Sequence, residues 1–336
     1  MNRTALTHAL IASLCAAKAF ANDTTAELKT GGLEFTHSDN IAMQEENLYI
    51  SPKQVTVDYV YRNTSDKPVD TYVAFPMPDI EGSLDPMMDA GDTSSDNFLG
   101  FSVVQDGAPI TPSLQQRAFW QNIDVTDVLL DQHVPLNPLS EKTAATLKAL
   151  PKATLDDLEV RGLVYAQTSG DGADQQTDWV PTWTLKSSYF WKTTFPSGKD
   201  VHVSHKYKPS VGGTVAITYL DENNQPKGER HDEYVKKYCV DDTFTKIAQK
   251  SQKAMQDQQP YLVEHWISYV LTTGANWSGP IGKFTLIVDK GDPKNFVSFC
   301  GTGVKKTGPT TFEVHATDFT PDRDLDILLL TPSDYQ

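Results

Sequence analysis

The stretch Gln54–Pro78, QVTVDYVYRNTSDKPVDTYVAFPMP, constrains this chain more than any other. Val55, Val57, Tyr59 and Tyr61 recur at every second position, so an extended strand sends all four to one face. Asn63-Thr-Ser-Asp-Lys-Pro68 carries turn chemistry, and Tyr72 to Phe75 begins a return strand. Pro76 and Pro78 end that strand, because proline has no N–H to give a ladder. A hairpin with large side chains on one face must be covered by another layer, which points to a β-sandwich. FLGFSVVQDGAPIT repeats the pattern, with Asp106-Gly107 as its turn.

Over residues 118–165 the spacing becomes helical. Val125, Val128 and Leu129 form a stripe after Asp124, and Leu147 and Leu150 follow a cap at Ser140. Thr154 is expected to start a third short helix, with Asp157 at the capping-box position and Leu155 and Leu158 inward. Strands resume at WTLKSSYFWKTTFP, where Trp183, Leu185, Tyr189 and Trp191 share a face, and Ser197-Gly198 turns the chain into DVHVSHKYKP. One amphipathic helix then follows Asp241, with Phe244, Ile247, Ala248 and Met255 inward. The expected fold is therefore mainly β: two antiparallel sandwich-like layers or domains, a small helical insertion and one further amphipathic helix. The expected divisions are 1–21 leader, 22–116 N-terminal sandwich, 117–177 helical insertion, and 178–336 C-terminal sandwich with a helix at 241–257.

The leader reading rests on a short positive start, Met1-Asn-Arg3, an apolar run from Ala5 to Ala17, and the small residues of Ala19-Phe20-Ala21. Cleavage after Ala21 predicts a periplasmic or secreted chain, with no later segment long enough to span a membrane. It also removes Arg3 and Lys18 and no acids, taking the net charge from −15 to −17. Such an acidic chain argues against nucleic acid and anionic lipid as partners, since both select basic patches. The two cysteines left, Cys239 and Cys300, are expected to form one structural disulfide.

Candidate chemistry is sparse. His202 and His205, three apart in a strand, face opposite ways and cannot share a metal; His205 falls on the apolar row and reads as a hydrogen-bonded core histidine. The acidic runs at Asp85–Asp96 and Asp171–Asp174 lack the EF-hand spacing and read as solvated loops. The chain has no G-x-S-x-G, H-E-x-x-H, phosphate-loop or dinucleotide fingerprint. Neither a cofactor nor a metal is expected. Trp120 and Trp179 are the least core-like of the aromatics and are candidate ligand contacts, together with His133 and Asp178. In TTGANWSGPIG, Trp277 reads first as an anchor pinning a glycine-rich corner and second as a recognition residue.

Three segments in this order, LYISPKQVTVDYVYRNTS with VAFPMP, YFWKTTFPSGKDVHVSHKYKPSVGG, and TTGANWSGPIGKFTL, resemble a family of bacterial exported proteins known as domain of unknown function 4424. The resemblance covers nearly the whole chain after the leader. It implies a periplasmic, mostly β protein and brings no catalytic residues. The N-x-S…VAFP-x-P piece also looks like the opening of a domain found in inter-α-trypsin inhibitor heavy chains. The expected function is a non-catalytic envelope protein binding an unknown partner or ligand. The alternatives are an envelope-polymer hydrolase built on loop carboxylates such as Asp178, with His133, near Trp120 and Trp179, and a purely structural envelope protein.

Overall fold

A computed structural model describes residues 22–29, 32–83, 87–89, 91–170 and 175–333. The leader at 1–21, the acidic run 171–174 and part of the 85–96 run fall outside them. Strands dominate, and their alternating burial follows the period-two pattern of the sequence. The largest sheet has eight strands in the order Lys305–Lys306, Thr311–Phe319, Ile281–Asp289, Ile41–Ile50, Val55–Asn63, Asp200–Tyr207, Ser102–Gln105 and Ala108–Ile110. Its pairs are antiparallel except Ile281–Asp289 beside Ile41–Ile50, which run parallel.

Two further sheets cover one face of this large sheet. The first, here the curled sheet, runs Ile123–Asp124, Ser113–Trp120, Thr184–Phe195, Val69–Pro76, Thr24–Lys29 and Gly32–Thr36, with Ile80–Glu81 also paired to Thr184–Phe195. The second, five-stranded, runs Phe296–Phe299, Leu325–Pro332, Leu262–Tyr269, Val211–Gly213 and Met88–Asp89. All three contribute to one continuous core, in which Val57, Tyr59, Tyr61 and Val203 meet Phe75, Leu185, Trp191, Tyr269 and Ile327. Strands from 22–116 and from 178–336 pair directly in the same sheets, so the two β regions share that core. Each large side chain so enclosed contributes about 1.5–3 kcal/mol.

Helices flank the sheets in two groups. Helices α1 (Thr126–Asp131), α2 (Glu141–Ala149) and α3 (Lys152–Val160) pack with the hairpin Val164–Ser169/Gln176–Pro181 around Trp183, Leu129, Leu147 and Leu158. Ser140 caps α2 as the sequence predicts, its hydroxyl accepting from the Thr143 N–H at 3.1 Å. The start of α3 needs correction. The helix opens at Lys152 directly behind Pro151, whose φ of −57° suits a helix entry, and Asp157 pairs with Arg161 rather than closing a box with Thr154. Leu155 and Leu158 are inward as expected. Helices α4 (Glu229–Tyr238) and α5 (Asp242–Gln256) cover Leu328 and Leu330 on the outer face of the five-stranded sheet. The Asp241 carboxylate caps α5 through the Phe244 N–H at 2.7 Å. Met255, expected inward, is 40% exposed at its last turn. The periodicity did not reveal α4, because only Tyr234 and Tyr238, one turn apart, are buried on it.

Cys239, which ends α4, is bonded to Cys300, just beyond the strand Phe296–Phe299. Crosslinking across 61 positions removes unfolded-state entropy worth about 4 kcal/mol. Cys239→Ser with Cys300→Ser is expected to lower the unfolding free energy by about 2–4 kcal/mol in urea titrations, with the slope rising as the unfolded chain expands.

Candidate functional site: a cleft on the curled sheet

Alternation decides which side chains the curled sheet turns away from the core. On Thr184–Phe195 the residues Leu185, Ser187, Tyr189 and Trp191 are buried, leaving Lys186, Ser188 and Phe190 on the opposite face. Gln115, Arg117 and Phe119 lie directly across from Ser188, Lys186 and Thr184 and so share that outer face. The edge hairpin Thr24–Lys29/Gly32–Thr36 folds back over it, and the Leu33 N–H donates to Gln115 Oε1 at 2.9 Å. Gly32 permits this approach: its φ is +109°, and a Cβ there would lie 2.7 Å from Gln115 Oε1. The resulting cleft has a volume of about 370 Å3, within the range of small-ligand sites.

Two ion pairs line it. Arg117 and Lys186 are cross-strand neighbours, an arrangement that costs energy unless each finds an anion. Arg117 pairs with Asp124 and Lys186 with Asp79. Burial pushes the Asp79 carboxyl up, against the hydrogen bond and charge of Lys186. Burial acts the same way on Asp124, but Thr126 hydrogen bonds and the Arg117 charge outweigh it and hold the carboxyl below its ordinary value. Asp79 is an anchor, its side chain only 6% exposed, whereas Arg117, Asp124 and Lys186 keep a third or so of their side-chain surface open. Phe35, Phe119, Leu33 and Met77 complete the lining. The cleft therefore presents both signs of charge beside apolar and aromatic surface.

The residues singled out from the sequence lie elsewhere. Asp178 and Trp179 line a separate cleft of about 330 Å3 with Glu141 and Lys148 of α2. His133 is exposed behind α1 in a left-handed conformation, and Trp120 packs over Gly162; neither lines the Asp178–Trp179 cleft. A broader depression of about 510 Å3 borders Met87–Asp89 and His265 on the five-stranded sheet. Among the described residues no three His, Cys, Asp or Glu side chains are grouped to hold a metal ion. The Arg117 cleft was readable in principle from Gln115, Arg117 and Phe119 alternating with Ala118. What could not be read was that an edge hairpin would fold over them.

Trp277 is buried in the core, its indole N–H donating to the Asp23 carbonyl at 2.9 Å. It belongs to a closed polar socket. The Tyr59 hydroxyl donates to Asn22 Oδ1 at 2.6 Å, the Tyr61 hydroxyl to Asp23 Oδ2 at 3.0 Å, and His205 Nε2 lies 2.9 Å from Asp23 Oδ1. Tyr269 reaches Tyr59, and the Thr273 hydroxyl donates to the Asn22 carbonyl. Glu46 completes the group, receiving the Asn22 amide at 3.3 and 3.4 Å. A bulge between Met43 and Glu45 shifts the alternation of Ile41–Ile50 and turns Glu46 inward with Leu48 and Ile50. Burial, against the Asn22 hydrogen bond and with the Asp23 charge, pushes its carboxyl up to about 8. His202, on the other side of its strand, is exposed.

A family model described as a domain of unknown function, DUF4424, matches residues 21–328. Among solved structures, the chain is similar over 93% of its length to 70% of a candidate nutrient-binding protein from Legionella pneumophila, at 17% identity and a TM-score of 0.44. It is similar over 88% of its length to 43% of an M1 zinc metallopeptidase from Deinococcus radiodurans, at 7% identity and a TM-score of 0.21. At these scores neither likeness bears on ligand or reaction. The curated proteins contain no match.

Trp277→Phe keeps most of the packing and leaves the buried Asp23 carbonyl without its indole donor. Chemical denaturation is expected to show a loss of about 1–3 kcal/mol, against about 3–5 kcal/mol for Trp277→Ala, which also opens a cavity.

Proposed function

This chain belongs to the DUF4424 family, whose description names no activity, and from the site itself we propose that it is an exported binding protein that holds a small amphipathic zwitterion without turning it over. The observation that supports the reading is the outer-face cleft, where two part-exposed cations and a part-exposed carboxylate stand beside Phe35 and Phe119. Arg117 and Lys186, side by side, suit a ligand carboxylate; Arg117 can offer it a fork of two N–H donors. Asp124 suits an ammonium group. The aromatic and aliphatic lining suits a nonpolar side chain, and an α-amino acid or short peptide with such a side chain combines all three features. Exchange of intramolecular ion pairs for ligand ion pairs limits the net gain, so selectivity comes from the spacing of the two signs and from the apolar contact.

Export is part of the proposal. A removable leader and a Cys239–Cys300 disulfide fit a compartment outside the reducing cytosol. No helix among the described residues is long and apolar enough to cross a membrane.

Titration calorimetry and thermal-shift measurements with a panel of free amino acids and di- and tripeptides are expected to find ligands with apolar side chains that raise the Tm. Arg117→Met and Phe119→Ala should each weaken that binding by roughly 10- to 100-fold, while Trp179→Ala leaves it unchanged. The ligand should be recovered chemically intact by mass spectrometry. Binding that survives both cleft substitutions, or falls with Trp179→Ala, would move the site away from this cleft.

A further inference from the structure

We propose that the working form of this protein begins at Asn22 and that its new α-ammonium group is the buried counter-ion of Glu46, so that removal of the leader completes the core. The inference uses the reading of residues 1–21 as a removable leader and is independent of the cleft. Glu46 is a carboxyl with no exposure, brought inward by a bulge into the socket of Asn22, Asp23, His205 and the Tyr59 and Tyr61 hydroxyls. A buried carboxylate is costly unless it is paired. Among the described residues its only side-chain donor is the neutral Asn22 amide, at long distance, and the nearest other charge is the carboxylate of Asp23. His205 does not serve it, being engaged with Asp23.

The missing cation has one covalently determined source. The backbone nitrogen of Asn22 lies within about 5 Å of its own side-chain nitrogen by bond lengths alone, and that side-chain nitrogen touches both Glu46 oxygens. Tyr59 and Tyr61 of the large sheet and Thr273 and Trp277 of the corner hold Asn22 and Asp23 in place, and both residues have zero exposure. So elaborate a socket for two residues is poorly explained by an arbitrary point in a continuing chain. It is well explained by a terminus that must be seated. Ala19-Phe20-Ala21 places the small residues of a leader-peptidase site immediately before it.

The chemistry balances with water as co-reactant. A leader peptidase hydrolyses the Ala21–Asn22 bond; the water oxygen goes to the Ala21 carbonyl carbon, and Asn22 leaves as an amine. At neutral pH the fragments are a carboxylate and an ammonium. At Asn22 a single neutral N–H donor is thereby replaced by three donors and a positive charge, on the residue whose side chain already contacts Glu46. In the folded chain the closed socket then encloses the amine.

The pH dependence separates the two forms. With a residue retained before Asn22, Glu46 titrates near 8 in the fold and near its ordinary value of 4.5 in the unfolded chain. The fold then binds the extra proton between those values, and stability falls as pH rises through that window. The ammonium reverses this by favouring the carboxylate, so the chain starting at Asn22 keeps its stability there. Asp23, His205, Tyr59, Tyr61 and Tyr269 also face the group, and the Glu46→Gln chains separate the share of Glu46 from theirs.

Two chains are prepared from fusions whose protease leaves either Asn22 or Ala21 first, each also as Glu46→Gln. The Asn22 chain should have the higher Tm at pH 7.5, with the gap closing toward pH 4.5, and Glu46→Gln should abolish the gap. Reductive methylation of the Asn22 amine should be at least 100-fold slower in the native protein than in urea. Equal Tm values for the two Glu46 chains, a gap that persists in both Glu46→Gln chains, or native labelling at the unfolded rate would overturn the proposal. The amine labelling remains readable if Glu46→Gln does not fold. Exported protein should begin at Asn22 by intact mass, and a start elsewhere would also overturn it, whatever the cleft binds.

Discussion

The fold depends on how its largest rings are made compatible with polar groups in the same layer. Tyr59 and Tyr61 stack at 5.4 Å on one face of the central hairpin, and each directs its hydroxyl to a residue of the N-terminal segment. Trp277 lies 4.5 Å from Tyr61, ring centre to ring centre, and directs its indole N–H to the same segment. Aromatic side chains can occupy a core in this way because each combines a large apolar body with one polar handle that must be satisfied. Here the handles converge on Asn22 and Asp23. The start of the strand Thr24–Lys29 is thus tied to the large sheet by side chains, whereas its backbone pairs with the curled sheet.

His205 shows the same economy. Its ring lies against Tyr59, Phe75, Phe101 and Trp191, and its Nε2 meets Asp23. Seen in the sequence, a histidine near another histidine invites a metal reading, but strand geometry sends the pair to opposite faces, and the structure agrees. The curled sheet makes the complementary point. Its inner face was set by Leu185, Tyr189 and Trp191, and the outer face acquires a cleft only because the hairpin at Gly32 folds back across it.

Legibility followed the range of the information. Alternation identified Val55–Tyr61 and the row Val201, Val203, His205, Tyr207, since facing depends only on neighbours one and two positions away. Caps at Ser140 and Asp241 were equally local. The turn residues around Trp277 mark it as an anchor, and its indole is enclosed. Three features were not legible. The helix Glu229–Tyr238 buries too few side chains to leave a stripe. The inward turn of Glu46 requires a bulge opposite a partner strand, which no single-strand pattern encodes. The cleft side chains come from residues 33 to 188, and their proximity is a property of sheet order. His133 and Trp120 likewise do not line the Asp178–Trp179 cleft: they come from the turn behind α1 and from the curled-sheet strand Ser113–Trp120, and Asp178 from the hairpin strand Gln176–Pro181.

The single parallel pairing in the large sheet, Ile41–Ile50 with Ile281–Asp289, joins segments more than two hundred residues apart. A polypeptide made from its amino end therefore carries an unfinished central layer until nearly nine-tenths of it has been synthesised. Closing so long a loop is entropically expensive and leaves apolar strand edges open meanwhile. Such a topology disfavours early folding on the ribosome and keeps the large sheet incomplete until its late strands arrive. Order of synthesis and order of assembly are thereby set apart by one strand pairing.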